Sequence, residues 1–236
     1  MFLMKNKMRL GKRPIPTDDN LKQTQLSWVF YLKTVKIGLM GKKLLRKFYN
    51  RDTLMVAKEL LGRYLVRKIG RKTIIGKIVE TEAYVGPQDK ASHAFGNRVT
   101  ERNKAEYLDG GHIYIYLVYG MYWQFNVSTR GKGKPECVLI RALEPVIYGR
   151  KTKIQNKLFK NFTNGPGKLC RWMKLDKSFY GKDMTKSGRI WLERGEKIKR
   201  NNIVADKRIG IDYAGPVWAA KKWRFYIKNN DFVSKK

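Results

Sequence analysis

Apolar and aromatic side chains recur at every second position along Tyr114-Ile115-Tyr116-Leu117-Val118 and again along Tyr122-Trp123-Gln124-Phe125-Asn126, the side-chain period of a strand. Gly120 interrupts the pattern, which predicts a hairpin with its tip at Tyr119 and Gly120. On this reading Tyr114 and Tyr116 share one face, with Ile115 and Leu117 on the other. Past the tip, Tyr122, Gln124 and Asn126 share a face opposite Trp123, Phe125 and Val127. Two uses of the aromatics are open. They fill a core, as such residues usually do, or two tyrosines line a pocket for a flat ring while Tyr119 stands at an exposed tip.

The same patterning organises the rest of the chain. Asp52 suits the N-cap of a helix over 53–61, with Leu54, Ala57, Leu60 and Leu61 at helical spacing and Gly62 as its stop. Strands are predicted over 63–68 and 73–84, joined at Gly70, and a loop over 89–97 carries His93. Thr100 is placed to cap a short helix to Leu108. A basic turn at Gly131 to Pro135 precedes a buried strand over 137–143. Residues 149–163 read as a basic, poorly patterned insertion. A helix opens at Gly165 and runs to about Leu175. Strands over 190–193, 209–212 and 223–227 follow, and the tail from Asn229 is expected to fray. The compact domain is expected to begin at Met40, with 1–39 a basic arm that a start-codon choice could also explain. The expected fold is a single α+β domain with a curved, mostly antiparallel sheet, surrounding helices and a protruding aromatic hairpin.

Charge narrows the function. The chain has 52 Lys and Arg against 19 Asp and Glu, a net charge of +33 over 236 residues. Removing the eight basic and two acidic residues of 1–39 still leaves +27. An excess of that size serves a polyanionic partner, and 42% hydrophobic residues argue against a disordered polycation. The apolar patch over 26–39 contains Lys33 and Lys36, is too short and charged for a membrane span, and lacks a signal-peptide cleavage site. An intracellular setting is expected: cytoplasm or nucleoid in a prokaryote, nucleus in a eukaryote. With two cysteines and two histidines and no metal-binding spacing, neither a disulfide framework nor a structural zinc is expected, and no cofactor is called for.

Candidate chemistry concentrates in a few places. Glu80 and Glu82 are two apart on an otherwise apolar strand, so both carboxylates face one side. They pair with nearby lysines, or one is a general base projecting into a cleft. Arg141 in an apolar strand needs a carboxylate or a phosphate. His93 suits a structural hydrogen bond at least as well as catalysis. Gly165-Pro166-Gly167-Lys168 is no Walker A loop, because Phe162 and Leu169 stand where that motif needs a glycine and a hydroxyl. Its free N–H groups and lysine can still hold a phosphate.

In combination these segments resemble the alkyladenine (3-methyladenine, methylpurine) DNA glycosylases. The resemblance rests on Glu80-Thr81-Glu82-Ala83-Tyr84-Val85-Gly86-Pro87, His93, Thr100-Glu101-Arg102-Asn103, Tyr114-Ile115-Tyr116, Tyr119-Gly120-Met121-Tyr122 and Asn126. It continues through Arg141-Ala142-Leu143-Glu144-Pro145, Gly165 to Cys170, Trp191 to Arg194, Arg208-Ile209-Gly210 and Arg224-Phe225-Tyr226. It runs in order from about Phe48 to the end. It implies a monomeric, monofunctional enzyme that flips a damaged purine out of duplex DNA and hydrolyses its N-glycosidic bond, leaving an abasic site.

By that resemblance Tyr119 is the wedge that fills the vacated stack, Tyr84 and Tyr116 sandwich the base, and His93 meets its edge. Asn126 disfavours the amino group of guanine. Glu82 activates water, and Arg141 holds Glu82, the water or the DNA backbone. Met121, Tyr122, Gly167 and Lys168 contact DNA. Two departures stand out: Gly167 occupies a position where some relatives have serine, and the turn from Lys132 to Glu136 is two residues longer. The competing reading, a non-enzymatic RNA- or ribosome-binding protein, explains the charge and the aromatics but not two carboxylates on one apolar strand.

Overall fold

Asp52 begins the first long helix as its residue type predicts: its side chain accepts the Met55 N–H at 3.0 Å. The computed structural model describes residues 41–146, 159 and 161–235. The expected arm over 1–39, the proposed start at Met40 and most of the 149–163 segment lie outside the described residues. In chain order the described elements are α1 (Arg46–Tyr49), α2 (Thr53–Leu60), β1 (Tyr64–Ile69), β2 (Lys72–Val85), β3 (Ile113–Val118), β4 (Tyr122–Ser128), β5 (Glu136–Pro145), α3 (Pro166–Met173), β6 (Ile190–Glu193), β7 (Ile203–Asp206), α4 (Pro216–Ala219) and β8 (Arg224–Ile227).

Among the described residues eight strands form one sheet in the order β3-β4-β5-β2-β1-β6, with β8 on β2 and β7 on β8. Every pairing is antiparallel, which with the helices makes the class α+β. β2 is the branch point. Along one edge it pairs first with β1, over Lys72 to Lys77, and then with β8, over Glu80 to Glu82. Along the other edge it pairs with β5 over nearly its whole length. The Glu80 to Glu82 backbone is therefore held from both sides.

The ladder between β2 and β5 slips twice, leaving Val79 on one strand and Arg141 on the other without a partner opposite. Each slip is a bulge, and a bulge changes which face the following residues occupy. Ile78 and Ala83 thus lie in the same core cluster although strict alternation would separate them, and Thr81 donates to the Ala57 carbonyl of α2. The carboxylates are turned to the other face. On β5, Val138 and Ile140 face the core, and so does Leu143, past the slip. Cys137, Leu139 and Arg141 are left to line the functional face.

The hairpin splits as its alternation predicts. Ile113, Ile115, Phe125 and Val127 enter the main core, while Tyr114, Tyr116, Gln124 and Asn126 line a cavity. The hairpin thus fills the core with one face and lines the cavity with the other. α3 opens on Pro166 at a favoured position and ends at Lys174, whose φ of 51° is the left-handed cap.

Four expectations are corrected. The helix over 100–108 is only a 3-10 turn at Lys104–Tyr107: Thr100 and Asn103 cap each other's N–H groups reciprocally, but no α-helix follows. Residues 209–212 form no strand, and the missed strand is Ile203–Asp206; Ile209 gives its N–H to a carboxylate in place of a ladder. Glu80 and Glu82 pair with arginines, not lysines. The tail does not fray through Lys235: Phe232 and Val233 are each 4% exposed, and the Ser234 N–H donates to Glu80 Oε2 at 2.7 Å.

Phe232 packs with Val79 and Ala142 over the two bulges. Phe232→Ala is expected to cost about 3 kcal/mol, as truncating buried aromatics does, measured by urea denaturation.

Candidate active site

Two strands, one hairpin and two loops enclose a cavity of about 480 Å³, within the range that takes a ring-sized ligand. Tyr84 from β2, Tyr116 and Asn126 from the hairpin, and Arg141 from β5 line it, with His93 and Ile209 from the loops. Six of the residues expected from the sequence, Tyr84, His93, Tyr116, Tyr119, Asn126 and Arg141, therefore meet at one cavity.

The loop carrying His93 is clamped by side chains. Asp89 accepts the N–H groups of Val85 and Ala91 and forms a fully buried ion pair with Arg208, one contact at 2.9 Å. Buried Asn103 donates to the carbonyls of His93 and Arg98, which gives the Thr100 to Asn103 motif a physical purpose. The His93 ring meets Tyr116 edge-on, centroids 4.7 Å apart. Burial, with the Arg102 charge acting the same way, lowers its pKa to about 4, so His93 is neutral near pH 7. Tyr84 and Tyr116 are each backed by a guanidinium 4.8 Å from the ring centre, from Arg208 and Arg102 respectively. Burial pushes both phenols up, keeping them neutral.

Glu82 is fully buried and sits one layer behind the cavity wall. Its Oε1 accepts the Ile209 N–H at 2.8 Å and contacts Arg141 Nη1 at 3.2 Å. Its Oε2 accepts the Tyr84 hydroxyl at 2.9 Å. A carboxylate has about four acceptor positions. Among the described residues these three donors leave one position, on Oε2.

Glu80, also fully buried, contacts Arg141 at 3.3 Å and Arg224 at 2.9 Å. Arg224 in turn holds Asp206 at 2.6 Å and the Lys235 carbonyl at 2.7 Å. Burial works against the charge on Arg141, but Glu82 and Glu80 more than restore it and raise its pKa. Arg141 reaches both carboxylates because its bulge frees it from strict alternation.

The hairpin tip is the opposite kind of environment. Tyr119 is 87% exposed and has a φ of 52°, and Gly120 follows at 67°. A type I′ hairpin turn requires this sign at both central residues. Glycine fits it, whereas a tyrosine is strained there. A strained, exposed aromatic beside a cavity is kept for what its side chain does outside the fold.

Met121 is exposed next to it. Tyr122 packs so closely on α3 that a Cβ on Gly167 would come within 2.8 Å of its ring. Gly167 thus seats Tyr122. Lys168 is exposed, with its ammonium 2.9 Å from Asn164 Oδ1. Gly167 and Lys168 lie beside the hairpin rather than on the cavity.

Sequence reading missed Glu106, Arg102 and Tyr213, which also line the cavity, and the supports Arg208 and Arg224. The arginines carried a signal, since Arg208 and Arg224 fall within the segments of family resemblance. Among the described residues no group of three or more His, Cys, Asp and Glu side chains is placed to hold a metal ion, and no helix is long and apolar enough to cross a membrane.

An aromatic cavity backed by a buried carboxylate–arginine pair, with an exposed tyrosine beside it on a strongly basic chain, defines an enzyme acting on nucleic acid. The family described as Methylpurine-DNA glycosylase (MPG) matches residues 47–231. Relatives provisionally named 3-methyladenine DNA glycosylase come from Clostridium tetani strain Massachusetts / E88 and Clostridium novyi strain NT, each 48% identical. The alignments cover 82% and 83% of this chain and all of either relative. One from Borreliella burgdorferi strain ZS7 is 44% identical over 81% of this chain and 99% of its own length. The chain belongs to the methylpurine-DNA glycosylase family. It is a hydrolase of N-glycosyl bonds, a DNA repair glycosylase for alkylated bases.

The left-handed backbone at Tyr119 costs about 1–2 kcal/mol for a residue with a Cβ, partly offset by the greater freedom of an unfolded glycine. Tyr119→Gly is therefore expected to leave stability unchanged or raise it by up to about 1 kcal/mol, read from chemical denaturation.

Proposed function

We propose that the protein binds duplex DNA as a monomer, turns a damaged purine out of the stack into the cavity, and cleaves its bond to the sugar with a water activated by Glu82. The observation that carries this reading is the position of Glu82, fixed by Arg141, the Ile209 N–H and Tyr84 with one acceptor position left on Oε2. A water held there gives its proton to the carboxylate as it attacks the sugar carbon. The same negative charge stabilises the oxocarbenium-like transition state that glycoside hydrolysis passes through. Arg141 is a positioning residue for Glu82, held in turn by Glu80.

Tyr84 and Tyr116 stack on the purine. Neutral His93 meets its edge, and Asn126, whose amide nitrogen is bound to the hairpin carbonyls of Tyr114 and Gln124, crowds the amino group of guanine. Tyr119 takes the place the base leaves, as apolar and aromatic wedges do in kinked duplexes. Flipping costs least for a damaged base. Met121, Tyr122, Gly167 and Lys168 follow the DNA on either side of the wedge. Among the described residues no lysine lines the cavity, and the water mechanism leaves an abasic site without strand cleavage.

The test is base release from a duplex carrying one hypoxanthine and from a methylated duplex. Wild type releases base; Glu82→Gln loses at least a thousandfold in rate while its DNA affinity stays within about threefold. Full activity in Glu82→Gln sinks the mechanism. Phosphate contacts set the affinity of such a basic protein, so log K is expected to fall linearly with log salt, checked by fluorescence anisotropy.

A further inference from the structure

Glu106 lines the cavity at 1% exposure, and the mechanism above leaves it unused. Its carboxyl lies close enough to the side chains of Tyr114 and Ser92 for both to act on it as hydrogen-bonding partners that lower its pKa, and among the described residues its Oε2 has no partner. The Tyr114 hydroxyl in turn lies 2.5 Å from His93 Nδ1. Three side chains from three segments thus form a chain that ends at the imidazole.

We infer that Glu106 is a specificity-positioning residue: through the Tyr114 hydroxyl it sets the His93 tautomer, and so whether the site prefers an oxygen or an amino group at purine C6. The inference rests on the proposed function and deepens it. A hydroxyl donates one hydrogen bond, so its direction propagates. When Glu106 is protonated it donates to Tyr114, and Tyr114 donates to Nδ1. The ring proton is then on Nε2, which donates to an oxygen such as O6 of hypoxanthine. When Glu106 is ionised it accepts from Tyr114, Tyr114 accepts from Nδ1–H, and bare Nε2 accepts from an amino group such as that of 3-methyladenine. On ionisation the Glu106 proton passes to Tyr114, the Tyr114 proton passes to Nδ1 and the Nε2 proton leaves to solvent, so one proton is released and both hydrogen bonds reverse direction.

Several facts make Glu106 the group that titrates. Burial raises its pKa to about 8, against the lowering effect of its bonds to Tyr114 and Ser92. Around it, burial pushes up the phenols of Tyr107, Tyr114, Tyr116 and Tyr180 and the thiol of Cys137. Arg102 is the charged group that acts on His93, Tyr114 and Tyr116.

The experiment compares single-turnover release of hypoxanthine from a defined duplex with release of 3-methyladenine from a methylated duplex, between pH 6.5 and 9.5. Wild type, Glu106→Gln and Tyr114→Phe are assayed, each first shown folded by its thermal transition. The glutamine of Glu106→Gln donates to Tyr114 at every pH, and Tyr114→Phe cuts the chain with Glu106 in place. The hypoxanthine to 3-methyladenine rate ratio is expected to fall at least fivefold with rising pH in wild type and to stay within twofold in both variants. Titration elsewhere in the site moves the ratio in all three proteins, so the difference between them is the measure. A ratio that is flat in wild type, or that moves equally in Glu106→Gln, overturns the inference while leaving the glycosylase reading intact. Release of neither base by wild type overturns that reading and the inference with it.

Discussion

Two fully buried carboxylates cannot stand alone, and much of this molecule is arranged to neutralise them. Glu80 and Glu82 meet two guanidinium groups, Arg141 and Arg224, so the buried charges balance. Burial makes each interaction stronger and each missing partner costlier. Three distant parts of the chain serve this balance. β5 bulges to present Arg141, β8 takes over the β2 edge where β1 leaves off, and the C-terminal tail closes over Glu80 through the Ser234 N–H.

This arrangement divides labour between neighbouring residues. Each carboxylate meets three donors, but those of Glu82, namely Tyr84, Arg141 and Ile209, all line the cavity. Glu80 is instead closed over by Arg224 and the Ser234 N–H. Identical side chains two positions apart thus differ in role because their partners differ, a common way for paired carboxylates to be told apart.

The wedge and the pocket follow opposite physical rules on one hairpin. At its base the strands are locked by core packing on one face and by hydrogen-bonded aromatics on the other. At its tip the backbone is strained and the side chain is left to solvent. A rigid stem carrying an exposed aromatic transmits little motion, which suits the proposed role of Tyr119 as a wedge in the base stack. Gly167 extends the same logic, since its missing side chain lets α3 pack against Tyr122.

What local sequence could determine, it did. Alternation placed the hairpin and its two faces, Asp52 located a helix start, and net charge named the kind of partner. The order of motifs named the family. Local pattern failed wherever the deciding partner was far along the chain. The Arg224 and Ser234 partners of Glu80 are 144 and 154 residues away, and no periodicity carries that information. The bulges at Val79 and Arg141 arise only when two strands are paired, so the face occupied by the carboxylates was decided in the sheet. Ile209 looked like a strand residue because it is apolar, yet its N–H serves Glu82. Glu106 carried no local signal at all, because only packing buries it and sets it against Tyr114.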